Sequence, residues 1–161
     1  MIKFDKQNTK MRYSLLFTIA IFLFAACKKD KFTTAPQIDY KSISPKAINN
    51  TTTSLILTIG ITDAEGDIGI GSTDTAFVYL KNLLTNDFDS LAFPPLQTAT
   101  KSNFQAEVDI NVANAGVLNC HPIPGGGLHI DTVYFEVYVK DFAKNKSNVI
   151  VTAEPVYYQC F

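Results

Sequence analysis

Asp63, Glu65 and Asp67 alternate along Asp63-Ala64-Glu65-Gly66-Asp67. Carboxylates spaced along a looping backbone are the donors that a hard cation such as calcium takes, six to eight oxygens at a time. An EF-hand loop requires glycine at its sixth position. Counted from Asp63 that position is Ile68, so the segment is a different kind of loop. The same residues also suit a tight turn in which Asp and Gly satisfy backbone N–H groups without an ion. A structural calcium ion and a bare turn are both open readings.

Three cysteines carry further chemistry. The first, Cys27, follows Ala25 and Ala26 at the end of the apolar run Leu15–Ala26. That run is shorter than the roughly 20 residues needed to span a hydrocarbon core as a helix, and it suits the apolar region of a signal peptide. Small residues let an extended segment enter a peptidase site, and a cysteine thiol accepts a lipid. The stretch MRYSLLFTIAIFLFAACKKD, residues 11–30, resembles a bacterial lipoprotein export signal of the Bacteroidota type, with Phe24 where leucine is commonest. The resemblance implies removal of residues 1–26, acylation of Cys27 and residence at the outer membrane, on either its periplasmic or its surface face. Beginning at Met11 gives a compact basic start, so Met11 is the expected initiator. Lys28, Lys29 and Lys31 would rest on anionic headgroups at about 1 kcal/mol each.

Cys120 and Cys160 are then an even pair in an oxidising compartment, which suggests a disulfide. His121 and His129 flank the glycine-rich Gly125-Gly126-Gly127. No fourth ligand completes a zinc set around them, and the glycines lack the strand-before, helix-after setting of a phosphate loop. Both histidines of the chain lie in this one loop, and neither a G-x-S-x-G elbow nor an H-E-x-x-H pair is present. No catalytic residue is assigned, and an enzyme is not expected. The net charge of −1 argues against a nucleic-acid partner, which calls for a basic stripe.

Surface recognition has two further sets of candidates. Tyr134 and Tyr138 occupy alternate positions facing outward, with Tyr79 on a neighbouring strand; such rings stack on sugars or partner proteins, or simply on each other across strands. Thr75, Ser90 and Thr132 each follow an aspartate, in tripeptides that resemble the D-[ST]-[ALIVMT] O-glycosylation sequence of Bacteroidota envelope proteins.

The elements that must position these groups are strands. Period-two patterning is clearest over Ser54–Asp63, where Leu55, Leu57, Ile59 and Ile61 share a face. It recurs over Phe104–Val112 and Thr132–Lys140. Weaker strands are predicted at Ile38–Ile43, Thr75–Lys81, Phe88–Phe93 and Asn148–Tyr157, with Gly, Pro, Asn and Asp in the gaps. Seven short strands imply two antiparallel sheets packed face to face. Residues 27–36 read as lipidated cysteine and tether, and residues 37–161 as a single sandwich.

Two segments, ITDAEGDIGIG (61–71) and VKDFAKNKSN (139–148), are similar to loops of the immunoglobulin-like, fibronectin-III and cadherin-like superfold; Lys144 stands where the second loop usually has glycine. The resemblance implies that these loops share one pole. Asp141 and Asn145 would then join Asp63, Glu65 and Asp67 as candidate calcium ligands. It also puts Cys120 and Cys160 at the opposite pole. The first strand begins at the acidic pole, so that pole is expected nearest the membrane, with the Cys120–Asp131 loop facing outward as the contact for a partner. The expected role is a non-catalytic binding or assembly module of the envelope. The alternatives are a carbohydrate-binding accessory protein using the tyrosines and, last, a small envelope hydrolase.

Overall fold

The computed structural model describes residues 32–69, 74–94 and 102–161. The chain divides into Met1–Lys31 and a compact body, Phe32–Phe161; the export segment and Cys27 lie outside the described residues. Apolar residues at every second position drive the body into strands: β1 (Gln37–Ser44), β2 (Ala47–Asn49), β3 (Ile56–Asp63), β4 (Phe77–Asn82), β5 (Phe88–Ala92), β6 (Phe104–Asn111), β7 (His129–Val133), β8 (Phe135–Lys140), β9 (Ile150–Val151) and β10 (Val156–Cys160). One sheet has the order β1-β3-β6. Facing it are β5-β4-β8-β9 and β2-β10-β7. These two share chain segments, because only Tyr134 separates β7 from β8. The fold is the all-β sandwich expected from the alternation. Every pairing is antiparallel except β2 with β10, which is parallel.

Ten strands replace the seven expected, for local reasons. The predicted strand Thr132–Lys140 breaks at Tyr134, whose carbonyl leaves the ladder to accept the Leu83 N–H at 2.9 Å. Thr152 closes the gap: its Oγ1 accepts the Phe135 N–H at 3.2 Å and its own N–H donates to the Phe135 carbonyl at 3.0 Å. The last predicted strand is interrupted before β10 by Pro155, which has no N–H to donate. The three-residue β2 carries no alternation long enough to read in advance.

Leu57, Ile59 and Ile61 of β3 pack with Val108 and Ile110 of β6, and with Val78, Leu80, Phe135, Val137 and Val139 of the facing sheet, in one buried cluster. Each such side chain contributes about 1.5–3 kcal/mol on leaving water. Asn148 ties the layers together at their edge, where its Oδ1 accepts the Ile38 N–H and its Nδ2 donates to the Ile38 carbonyl, both at 2.8 Å.

The expected tether is too long. Thr33 is already fastened, its carbonyl accepting the Ala64 N–H at 3.1 Å, and Pro36 is buried. Residues 33–36 belong to the body because their backbone groups find partners in it.

Candidate functional site at the acidic pole

β3 ends on Asp63 and β8 ends one residue before Asp141; both aspartates are fully buried. Asp63 Oδ2 accepts the N–H groups of Gly66 at 2.6 Å and Asp67 at 3.2 Å, closing a turn on its own side chain. Gly66 adopts φ 71°, a conformation that glycine takes without steric cost. Asp141 is held in the same manner by Asn145, whose backbone N–H donates to Oδ1 at 2.8 Å and whose Nδ2 donates to Oδ2 at 2.9 Å. The two turns are joined: Phe142 donates its N–H to the Asp67 carbonyl at 3.0 Å, and Ala143 donates to Asp67 Oδ2 at 3.4 Å.

As a result one carboxylate oxygen from each of Asp63, Asp67 and Asp141 lies within 4.8 Å of the others. Asp63 Oδ1 and Asp67 Oδ1 are buried and accept no hydrogen bond. None of the ion pairs among the described residues involves the trio. Burial pushes the Asp63 carboxyl up to about 6, the Gly66 N–H pulls it back in part, and the Asp67 charge pushes it further up. Burial also raises Asp141 above the ordinary aspartate range, against the hydrogen bonds from Asn145 and with help from the charges of Asp67 and Glu65. The arrangement can hold a proton between carboxylates, or chelate a hard cation. Two of the five candidate ligands fall outside the trio. Glu65 is exposed and contributes only its field, because the turn closed by Asp63 points it to solvent. Asn145 donates to Asp141 and so orients a ligand in place of being one.

At the other end of the sandwich Cys120 and Cys160 are bonded, with S–S 2.03 Å and Cα–Cα 5.8 Å. Cys160 pairs with His129 at the start of β7, whereas Asp141 follows the end of β8, so the two poles are opposite. Asp131 lies beside the bridge, and its Oδ2 accepts the His121 N–H at 2.7 Å. The His129 ring nitrogens sit 3.0 Å from the Gly127 carbonyl oxygen and 3.1 Å from that of His121. The histidines therefore organise their own loop. With both sulfurs joined to each other, Cys120, Asp131 and Cys160 are no thiolate metal set. Residues 121–128 are all exposed. Ile123, Leu128, Ile130, Tyr157 and Phe161 all expose large apolar side chains in and around this loop, and Ile130 and Tyr157 line one surface cavity of ≈ 240 Å³.

The tyrosines follow the cross-strand packing alternative. Tyr138 stacks on Tyr79, not beside Tyr134, with ring centroids 4.7 Å apart and planes 8° from parallel. Phe88 continues the stack at 5.9 Å from Tyr79, and Lys146 Nζ covers the Tyr138 ring at 3.9 Å. Tyr134 sits in the strand break, exposed and outside the stack. Of the three hydroxyls, Thr132 is exposed on β7, while Thr75 and Ser90 are half-buried.

Three asparagines escaped the reading of the sequence. Asn82 is buried and caps the turn after β4, donating to the Val117 carbonyl and accepting from Leu84 and Thr85. Asn111 accepts the N–H groups of Leu55 and Ala113, and Asn148 joins the sheets. Asparagine is common in turns, so nothing in the local sequence separated these from others. Comparisons of the chain with protein-family models, with curated proteins and with solved structures find no match.

Proposed function

We propose that this chain is a lipid-anchored, non-catalytic module of the bacterial envelope that binds a partner protein through its disulfide pole. Cys27, acylated after removal of the export segment, would hold it at the outer membrane. Thr33, six residues after Cys27 in the sequence, is fastened to Ala64 at the acidic pole. The observation that carries the reading is the concentration of Ile123, Leu128, Ile130, Tyr157 and Phe161, exposed at the disulfide pole of the sandwich. Apolar and aromatic side chains gathered in this way are what protein interfaces bury at their centres, and the disulfide stiffens the surface that bears them. Glycan stacking on Tyr138 has less support, since its ring is covered by Tyr79 and Lys146.

The test is site-specific photocrosslinking in intact cells. A photoreactive residue at Leu128 should link the chain to one discrete envelope protein, the link should disappear with Tyr157→Asp, and a probe at Lys41 on the opposite sheet should not form it. Equal products from both positions, or none from Leu128, would contradict the reading.

A further inference from the structure

The buried polar residues of this body are otherwise well matched. Asn82, Ser147 and Thr152 all have partners. Only two buried side-chain oxygens among the described residues have none, and they are Asp63 Oδ1 and Asp67 Oδ1. Both belong to the trio whose oxygens converge within 4.8 Å, and Asp63 and Asp141 have no solvent exposure. An unpaired buried carboxylate oxygen is costly, and three carboxylates facing one another without a cation add like-charge repulsion. The remaining partners of these carboxylates are backbone and amide N–H groups that hold them in place. Those donors leave one oxygen each of Asp63 and Asp67 without a partner, while each oxygen of Asp141 takes one N–H from Asn145 and keeps a second lone pair, and the ligand that three converging carboxylates fit is a hard cation.

We propose that Asp63, Asp67 and Asp141 bind one calcium ion, with water completing its coordination. Glu65 lies on the solvent side and tunes the site by charge alone, and Asn145 positions Asp141. The ion would clamp the turn after β3 to the turn after β8, beside Thr33, where the chain enters the body. Its effect is to stiffen the acidic pole around Thr33. This inference does not depend on lipidation of Cys27 or on the partner surface.

The experiment uses the full chain purified in mild detergent, stripped with a chelator and titrated with calcium chloride while heat and melting temperature are followed. One calcium ion per chain is expected. The melting temperature should rise by roughly 5–10 °C when calcium is far above its dissociation constant. Magnesium should do less, because it demands a tighter octahedral shell. Asp63→Asn and Asp67→Asn should each fold in chelator yet lose the calcium-dependent rise, whereas Glu65→Gln should keep it. A wild-type chain whose melting temperature and heat are indifferent to millimolar calcium would overturn the site. So would an unchanged response in both Asp63→Asn and Asp67→Asn.

Discussion

Asp63 at the end of β3 and Asp141 just past the end of β8 come from distant parts of the chain, yet they present carboxylate oxygens within 4.8 Å of each other. Neither enters an ion pair among the described residues. The backbone N–H groups of Gly66 and Asp67 hold one, and Asn145 holds the other. The sandwich thus keeps like charges together at one pole.

Replacing Asp63 with asparagine should relieve that conflict when no divalent cation is present. The amide oxygen can keep the bonds from Gly66 and Asp67, and the new NH₂ can donate toward Asp67 Oδ1, which has no partner. In chelator, Asp63→Asn is expected to be about 1 kcal/mol more stable than wild type. Chemical denaturation in the presence of chelator measures this. A destabilised variant would mean that the aspartate charge itself holds the turn.

Opening the disulfide should cost far more. The bridge spans a sequence separation of 40 residues, for which the chain-entropy model gives about 4 kcal/mol. Paired Cys120→Ser and Cys160→Ser substitutions should lower the urea midpoint by a corresponding amount. A midpoint shift equivalent to less than about 1 kcal/mol would show that the loop from Asn119 to Ile130 is ordered without the bridge.

The Tyr79–Tyr138 stack is a structural device on the outer face of β4 and β8. A double-mutant cycle with Tyr79→Leu and Tyr138→Leu is expected to give a coupling of about 1 kcal/mol. Additive losses would indicate that the rings act independently and are available for other contacts.

Lys144 adopts φ 70°, the left-handed region where a side chain costs roughly 1 kcal/mol or more. Lys144→Gly should therefore stabilise the body by about 0.5–1 kcal/mol, read as a rise in melting temperature. A fall would assign more weight to the Lys144 ammonium, which lies 6.0 Å from the centre of the Phe77 ring.

What the sequence disclosed and what it concealed follow from the range of each interaction. Alternation in β3, β6 and β8 is a local signal, and it correctly assigned the inward faces of Leu57, Val108 and Val137, because a period of two leaves one choice of face. The meeting of Asp63, Asp67 and Asp141 was legible only through the resemblance, which implied that the two loops share a pole. The break at Tyr134 was not legible, since it depends on the remote partners Leu83 and Thr152, whereas the one before β10 follows from Pro155, a local signal that the predicted strand Asn148–Tyr157 passed over. Glu65 and Tyr134 were assigned to sites by spacing alone. Spacing does not reveal that the Asp63 turn sends Glu65 to solvent, or that Tyr134 falls between β7 and β8 and outside the ring stack.

The central claim is that this body is held on a membrane through Cys27, and the most direct measurement is the mass of the N-terminal peptide of the protein isolated from cell envelopes after growth with labelled palmitate. The account predicts that residues 1–26 are absent and that Cys27 is the first residue, carrying the label and the mass of its acyl chains. An N-terminal peptide retaining residues upstream of Cys27, or starting at an unmodified cysteine, would contradict it.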